Sequence, residues 1–370
     1  MFNAHDHLHM RRALQLAEQA LYITSPNPRV GCVLVKDGVV IGEGHTQKAG
    51  SHHAEIMAIH DARAKGHETQ GSTAYVTLEP CSHFGRTPPC TESMISAGIT
   101  RVIAAMEDPN PLVAGKGLKR LRDVGMEVRC GLFAQEAGDL NIGFVSRMTR
   151  GLPWVRLKIA ASLDGRTSLE NGASQWITGQ AARDDGHHWR ARACAVLTGI
   201  GTIRADDPQL NVRAVETLRQ PRRIVMDSRL ELPLEAKILH SRGGAVTLVH
   251  VQDGHPREQE LRDRGVQLLR VPANTQGKND LRTMLQSLAS DGINELHVEA
   301  GSKLNGSLLA AGLADELLLY LAPKLLGPGE PLAALPALQS LDEAQMLHIV
   351  QVQPVGEDLR VLARFIPKEN

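Results

Sequence analysis

The apolar positions of the first 150 residues change period several times. Met10, Leu14, Ala17 and Leu21 recur at helical spacing, and Ser25-Pro26-Asn27-Pro28 then forces a loop. Val30 to Val35 reads as a strand, Asp37-Gly38 as a hairpin turn and Val39 to Gly42 as the return strand. The pattern next predicts a helix over 53–65 stopped by Gly66, a strand over 74–78 and a short helix from Cys90 closed by Gly98. A strand over 101–105, a helix over 117–124 and a strand over 127–132 complete the run. A hairpin followed by alternating helices and strands is a three-layer α/β pattern.

The apolar period stops at Ser146-Arg147-Met148-Thr149-Arg150-Gly151-Leu152-Pro153, where a linker is expected between domains 1–147 and 148–370. Beyond it, strands are expected over 154–161, 194–198, 223–226, 245–249, 266–271 and 295–299, with 316–322 the last. Ser162 to Arg166 reads as a turn. Ser174-Gln175-Trp176-Ile177-Thr178 leads into a helix through Arg192; further helices are expected over 281–288 and from Ser302. This is a second α/β domain, without repeats or low-complexity tracts.

Composition narrows the classes. A chain of 370 residues fits two domains. Zero formal net charge and 3% aromatics argue against a nucleic-acid surface, which needs a basic face and stacking rings. No apolar run approaches membrane-spanning length, and no leader pattern opens the chain. The five cysteines form no disulfide framework, so a reducing, cytoplasmic setting is expected, with Cys32, Cys130 and Cys194 as small buried residues. His5, His7 and His9 read as a solvated terminus.

The densest chemistry lies between His53 and Cys90. His53-Ala54-Glu55 is followed by Pro80-Cys81, and Cys90 closes the stretch. One imidazole and two thiols supply three zinc ligands and leave a fourth position for water, whose pKa then falls to roughly 7. Glu55 is placed to move protons without binding metal. His-x-Glu followed by Pro-Cys-x-x-Cys is the zinc deaminase signature; here eight residues, not two, separate the cysteines. Two other readings are a closed structural zinc site with His83 as fourth ligand, and unconnected residues. In the second half, Gly199-x-Gly201 and Gly301-x-x-x-x-Gly306 follow strands and suit phosphate, but neither completes a standard fingerprint. Tight packing turns explain both equally well. Trp176 by itself reads as core, and Arg190 as a solvated helix face.

These residues resemble the bifunctional riboflavin-biosynthesis deaminase–reductase family. The resemblance rests on HAE at 53–55, on PCSHFGRTPPC at 80–90 with its long insert, and on Ser25-Pro26-Asn27-Pro28, Thr77-Leu78-Glu79-Pro80 and Asp108-Pro109-Asn110-Pro111. It continues through Leu157-Lys158 to Arg166, Ser174 to Thr178, Gly201-Thr202 to Pro208, Val298 to Gly301 and Pro323 to Gly327. It covers nearly the whole chain and is weakest over 231–292. One position departs: the family's histidine seven residues before the zinc histidine is Thr46 here, with His45 beside it.

The resemblance implies a cytidine-deaminase-like α/β/α domain followed by a dihydrofolate-reductase-like α/β domain. The first would remove the 2-amino group of 2,5-diamino-6-ribosylamino-4-pyrimidinone 5′-phosphate, with zinc on His53, Cys81 and Cys90, Glu55 moving protons and Asn27 orienting the base. The second would use NADPH to reduce the ribosyl group to ribityl. Ala160, Trp176, Thr202, Asp206 and Ser228 would face the cofactor. Gly301, Ser302, Lys303, Leu304, Asn305, Gly306 and Ser307 would take its pyrophosphate. Lys158, Ser174, Arg190, Leu210, Arg213 and Glu299 would line the substrate site. A small-molecule substrate is expected, without nucleic acid or membrane, and a homo-oligomer is compatible with this reading. The alternative is a nucleic-acid-editing zinc deaminase with a C-terminal binding module. The long cysteine insert and the lack of a basic, aromatic-rich surface count against it.

Overall fold

The computed structural model describes residues 2–82, 88–111 and 113–366. The chain divides into two compact units, Met1–Gly151 and Leu152–Asn370.

The first unit runs α1 (Ala4–Gln19), β1 (Gly31–Lys36), β2 (Val39–His45), α2 (Ala54–Ala64), β3 (Thr73–Val76), α3 (Cys90–Ser96), β4 (Arg101–Ala104), α4 (Lys116–Asp123), β5 (Glu127–Cys130), α5 (Ala134–Leu140) and α6 (Ile142–Arg150). Its sheet order is β2-β1-β3-β4-β5, antiparallel through β3 and parallel from β3 to β5. Strand side chains alternate between two cores. Cys32, Leu34, Ala74, Val76, Val102 and Ala104 pack under α2, α3 and α4. Val33, Val35, Tyr75 and Ile103 pack against Met10, Ala13 and Leu16 of α1 and Ala137 of α5. Asp37 and Gly38 both have positive φ (52° and 77°), as a two-residue hairpin turn requires. A Cβ on Gly42 would lie 2.3 Å from Ala58 O, and one on Gly44 2.5 Å from Ala54 O. The two glycines let α2 lie directly on β2, which fixes the helix carrying Glu55.

Three expectations change here. The histidine-rich start is helix, opened by a capping box between Asn3 and Asp6, and His9 is buried against Tyr75 with ring centres 5.1 Å apart. Ala13 and Leu16, not Leu14 and Leu21, complete the buried face of α1. Residues 146–150, expected as linker, are the last turns of α6; its chain reversal comes at Gly151, φ 67°.

The second unit runs β6 (Trp154–Ser162), β7 (Arg166–Leu169), α7 (Gln180–Arg192), β8 (Ala195–Gly199), α8 (Ile200–Asp206), β9 (Arg222–Met226), α9 (Lys237–His240), β10 (Val246–His250), α10 (Arg257–Asp263), β11 (Gln267–Arg270), α11 (Leu281–Ser290), β12 (Glu295–Val298), α12 (Ser302–Ala310), β13 (Glu316–Ala322), β14 (Gly329–Pro331), β15 (Leu347–Val355) and β16 (Asp358–Phe365). The main sheet has order β11-β10-β9-β8-β12-β6-β13-β16-β15. It is parallel from β11 to β13 and ends in the antiparallel pair β16–β15. Val155, Leu157, Ala195, Leu197, Leu296 and Val298 pack with Met284, Leu285 and Leu288 of α11 and Leu308 of α12. Val196, Val225 and Leu248 pack on the opposite face with Ile203 of α8 and Leu261 of α10. The strand expected to be last, 316–322, is therefore followed by three more. Trp176 is 66% exposed, so it is not a core residue.

Candidate active sites

In the first unit, register brings distant segments to one sheet end. Gly31 pairs with His45 and Cys32 with Val76. The loop entering β1, the segment leaving β2 and the segment leaving β3 therefore share an edge. This is the carboxyl end of the parallel strands, where open α/β sheets place ligands. Gly31 N donates to Thr77 Oγ1 (3.1 Å), and Asn141 clasps Arg29 through both its amide groups (2.7 and 2.9 Å). These bonds hold the loop that carries Asn27, whose side chain has no hydrogen-bond partner among the described residues. Thr46 is buried and tied to Val30 O, whereas His45 stays partly exposed.

His53 is the N-cap residue of α2, Cys81 follows β3 and Cys90 opens α3. His53 Nδ1 lies 3.3 Å from Cys90 Sγ and 3.7 Å from Cys81 Sγ, and the three donor atoms sit within 4.8 Å of one another. An ion about 2.0–2.3 Å from each donor would separate them by roughly 3.5 Å, so the donors fit zinc. The Cys90 thiol, and then His53, hold the Cys81 thiol down to about 4 against the opposing effect of burial. The Cys90 thiol is driven the other way, first by Cys81 and then by burial. Glu55 is buried in the first turn of α2; burial, and then the charge of Cys81, push its carboxyl up to about 7. His83, the candidate fourth ligand of a closed site, lies outside the described residues.

Sequence reasoning missed Glu79. Its buried carboxylate accepts from the backbone of Asp108 (3.0 Å), Gly115 (2.9 Å), Gly117 (2.7 Å) and Leu118 (3.2 Å). It caps α4 from outside and anchors the strand end from which Pro80-Cys81 departs. The available signal was a helix start at Gly115-Lys116 with no capping side chain of its own.

In the second unit the candidates also gather at the carboxyl ends of parallel strands. Lys158 on β6 points at the Tyr320 ring (5.8 Å) and has no hydrogen-bond partner among the described residues; burial lowers its pKa, against the pull of Glu299. Arg190 does not face solvent. Its Nε and Nη2 grip both oxygens of Glu299, the second at 2.8 Å, and Nη1 reaches Asn211 O at 3.1 Å. Burial alone would raise the Glu299 carboxyl, but Arg190 holds it well below the usual range. Arg213 is exposed, and its Nη1 donates to Asn211 Oδ1. Asn211, which sequence reasoning also missed, thus positions both arginines. Leu210 has φ 53° and packs its side chain in the core with Val196 and Ile203. Only its backbone can face a ligand.

Ser174 Oγ donates to Asp206 Oδ1 (3.3 Å), so those two candidates meet. Thr202 Oγ1 lies 4.0 Å from where a Gly301 Cβ would stand. Ser228 follows β9, and its Oγ accepts from Asn279 N at 3.3 Å. Ala160 lies on β6, and exposed Trp176 carries the Arg183 guanidinium 4.7 Å over its ring. The expected glycine turns are helix starts: α8 begins at Ile200 and α12 at Ser302. Gly301 caps α12 with no side chain in the way, while Ser302 Oγ donates to Glu330 at 2.7 Å. Lys303 is exposed beside them. Leu304 packs on the core, Asn305 donates to Leu332 O (3.1 Å), and Ser307 bonds back to Lys303 O. Gly306 admits the Ala334 backbone, since a Cβ would lie 2.2 Å from Ala334 O. For Gly306 the packing explanation holds. The bare amino end of α12 beside Thr202 suits an anionic cofactor group.

The sequence was compared with known families and structures. The profile described as "RibD C-terminal domain" matches residues 153–361, and "Cytidine and deoxycytidylate deaminase zinc-binding region" matches residues 3–106. The chain is 45% identical to the riboflavin biosynthesis protein RibD of Escherichia coli K12, over 96% of this chain and 98% of that protein. The chain belongs to the RibD family. It is 42% identical to the Aquifex aeolicus member over 96% of this chain and 97% of that one. The solved structure of Acinetobacter baumannii RibD superposes with TM-score 0.89 at 43% identity, covering 98% of this chain and 99% of that one. A Thermotoga maritima structure titled diaminohydroxyphosphoribosylaminopyrimidine deaminase/5-amino-6-(5-phosphoribosylamino)uracil reductase gives TM-score 0.87 at 33% identity, with the same coverage. The protein is a bifunctional deaminase and reductase of riboflavin biosynthesis, with a cytidine-deaminase-like unit preceding a dihydrofolate-reductase-like one. Its cofactors are zinc and NADPH, and the editing-deaminase alternative is not favoured. Its substrate is a small molecule, and among the described residues no helix is long and apolar enough to cross a membrane.

Proposed function

We propose that residues 1–147 deaminate 2,5-diamino-6-ribosylamino-4-pyrimidinone 5′-phosphate and residues 148–370 reduce the product. The observation that carries the first assignment is the meeting of His53, Cys81 and Cys90 beside buried Glu55. These three residues would hold zinc, which activates water near neutral pH. Glu55 would take one proton from the attacking water and hand it to the ring nitrogen, then take the second from the hydroxyl left on the carbon and hand it to the departing amine. Its burial favours both steps, because a carboxyl poised near 7 can accept and release a proton at working pH. Asn27, with its amide uncommitted, orients the base.

In the reductase, NADPH supplies hydride to the ribosyl C1′. Ala160, Trp176, Thr202, Asp206 and Ser228 border the cofactor, and the amino end of α12 at Gly301–Lys303 receives its pyrophosphate. Lys158, Ser174, Arg213, Glu299 and the Leu210 backbone line the substrate. Arg190 acts chiefly through Glu299, which it holds ionised and oriented. Mass spectrometry of the diaminopyrimidine phosphate incubated with the protein tests the order of reactions. Loss of one amine should occur without NADPH, and addition of two hydrogens only with it. Reduction before any deamination would overturn the reading.

The zero formal net charge and the five cysteines, none of them in a disulfide among the described residues, support a cytoplasmic setting without nucleic-acid partners. A homo-oligomer is supported by the edge strand β15, where Ile349 is 60% and Val352 54% exposed. Sedimentation of the purified chain checks this: a monomer at micromolar concentration would remove it.

A further inference from the structure

His187 is absent from every role described so far. It lies on α7, one turn before Arg190, and is only 7% exposed. Its Nδ1 accepts a hydrogen bond from Arg213 N at 3.3 Å. An imidazole whose Nδ1 is an acceptor carries its proton on Nε2. Nε2 has no partner among the described residues and is not one of the fully buried unpaired atoms, so a donor with access to solvent is left beside Arg213, Arg190 and Glu299. A ligand entering this cluster can reach that donor without displacing a protein hydrogen bond. We propose that His187 is a further substrate-contacting residue of the reductase site, its Nε2–H donating to the substrate's phosphate beside Arg213. This rests on the reading of 148–370 as the reductase.

Three observations carry the assignment. First, Arg190 has three of its five N–H donors committed to Glu299 and Asn211, which leaves it less to offer a phosphate than Arg213. Among the described residues Arg213 has only Nη1 of its guanidinium engaged, which leaves its other donors for a ligand. Second, Lys158, Arg190 and Arg213 outnumber Glu299 and Asp184, which leaves a positive field suited to a phosphate. Third, His187 is a donor without being a cation. Burial and the charges of Arg190 and Arg213 pull its pKa down to about 4, against the weaker opposing effects of Glu299 and Asp184. A neutral donor adds no repulsion to two neighbouring guanidiniums. A bound phosphate would oppose their field and raise the imidazole pKa.

The test uses the full-length, zinc-loaded enzyme with ribitol 5-phosphate and ribitol as inhibitors of the reductase. His187→Ala should weaken inhibition by ribitol 5-phosphate about tenfold, the order expected for one hydrogen bond to a charged group. Inhibition by ribitol should hardly move. His187→Gln, which keeps a donor on a similar reach, should recover most of the loss. The reductase KM should rise more than kcat falls. In the wild type, the His187 ring resonance should titrate near 4 and move to higher pH when ribitol 5-phosphate binds. Equal weakening of both inhibitors by His187→Ala would mean a merely structural role and overturn the proposal. So would no weakening of either, provided Arg213→Ala still weakens the phosphorylated inhibitor alone. If Arg213→Ala also leaves ribitol 5-phosphate untouched, the assignment of this cluster as the substrate site falls as well.

Discussion

The two sites are built on opposite plans. The proposed deaminase site takes its donors from one short stretch, an imidazole and two sulfurs that converge beside a buried carboxyl. The proposed reductase site draws on β6, α7, the loop after α8 and the end of β12, and its carboxylate Glu299 is already paired with Arg190. In the first, the metal completes the electrostatics. In the second, the protein completes them before any ligand arrives. Damage to the first plan should therefore be local and severe, and damage to the second should spread into stability.

The largest effect should come from Cys81→Ser. A hydroxyl is a far poorer zinc ligand than a thiolate, so metal content and ammonia release should both fall to background. Reduction of pre-deaminated substrate should continue; its loss in the same variant would show that the two plans are not independent. Glu55→Gln comes next. It should keep zinc and thermal stability yet slow deamination roughly 10²–10⁴-fold, the usual scale for general acid–base catalysis. Near-normal ammonia release from metal-replete protein would remove Glu55 from the proton path.

The arginines sharpen the contrast. Arg190→Ala leaves Glu299 buried without its partner, a change that typically costs about 3–5 kcal/mol. The melting temperature and reductase kcat should both drop. Arg213→Ala removes an exposed group, so the reductase KM should rise about 10–100-fold with little change in melting. If the two variants melt alike, Arg190 is not the structural half of the pair. The smallest effect is the pH dependence of folding due to His187. Its folded pKa of about 4 lies below the ordinary 6.5, so the unfolded chain binds more protons between those values. Stability should fall as pH drops through that window, and His187→Gln should flatten that part of the denaturation profile. An unchanged slope would mean that the ring is not held neutral.

The same contrast explains what the sequence could reveal. The meeting of His53, Cys81 and Cys90 was legible because it depends on residue type and on where strands end. Arg190 was not, because its meaning comes from Glu299, 109 positions away. Leu210 looked like a ligand contact, but a positive φ turns its side chain into the core. Helices α5 and α6 escaped notice because Gly138, Asn141 and Gly143 break their apolar period. The hairpin β15–β16 escaped for a different reason. Ile349 and Val350 are adjacent apolar residues at a register shift, and both are exposed, so no period of two survives.

Glu79 has a consequence in the time domain. Four amides, those of Asp108, Gly115, Gly117 and Leu118, share one acceptor side chain. They should exchange their hydrogens with solvent as a single cooperative unit, each opening requiring the same carboxylate to let go. Cys81 lies two residues beyond that carboxylate. The rate at which a chelator strips the metal should then be set by this opening event, with amide exchange at Gly117 and metal release sharing one clock.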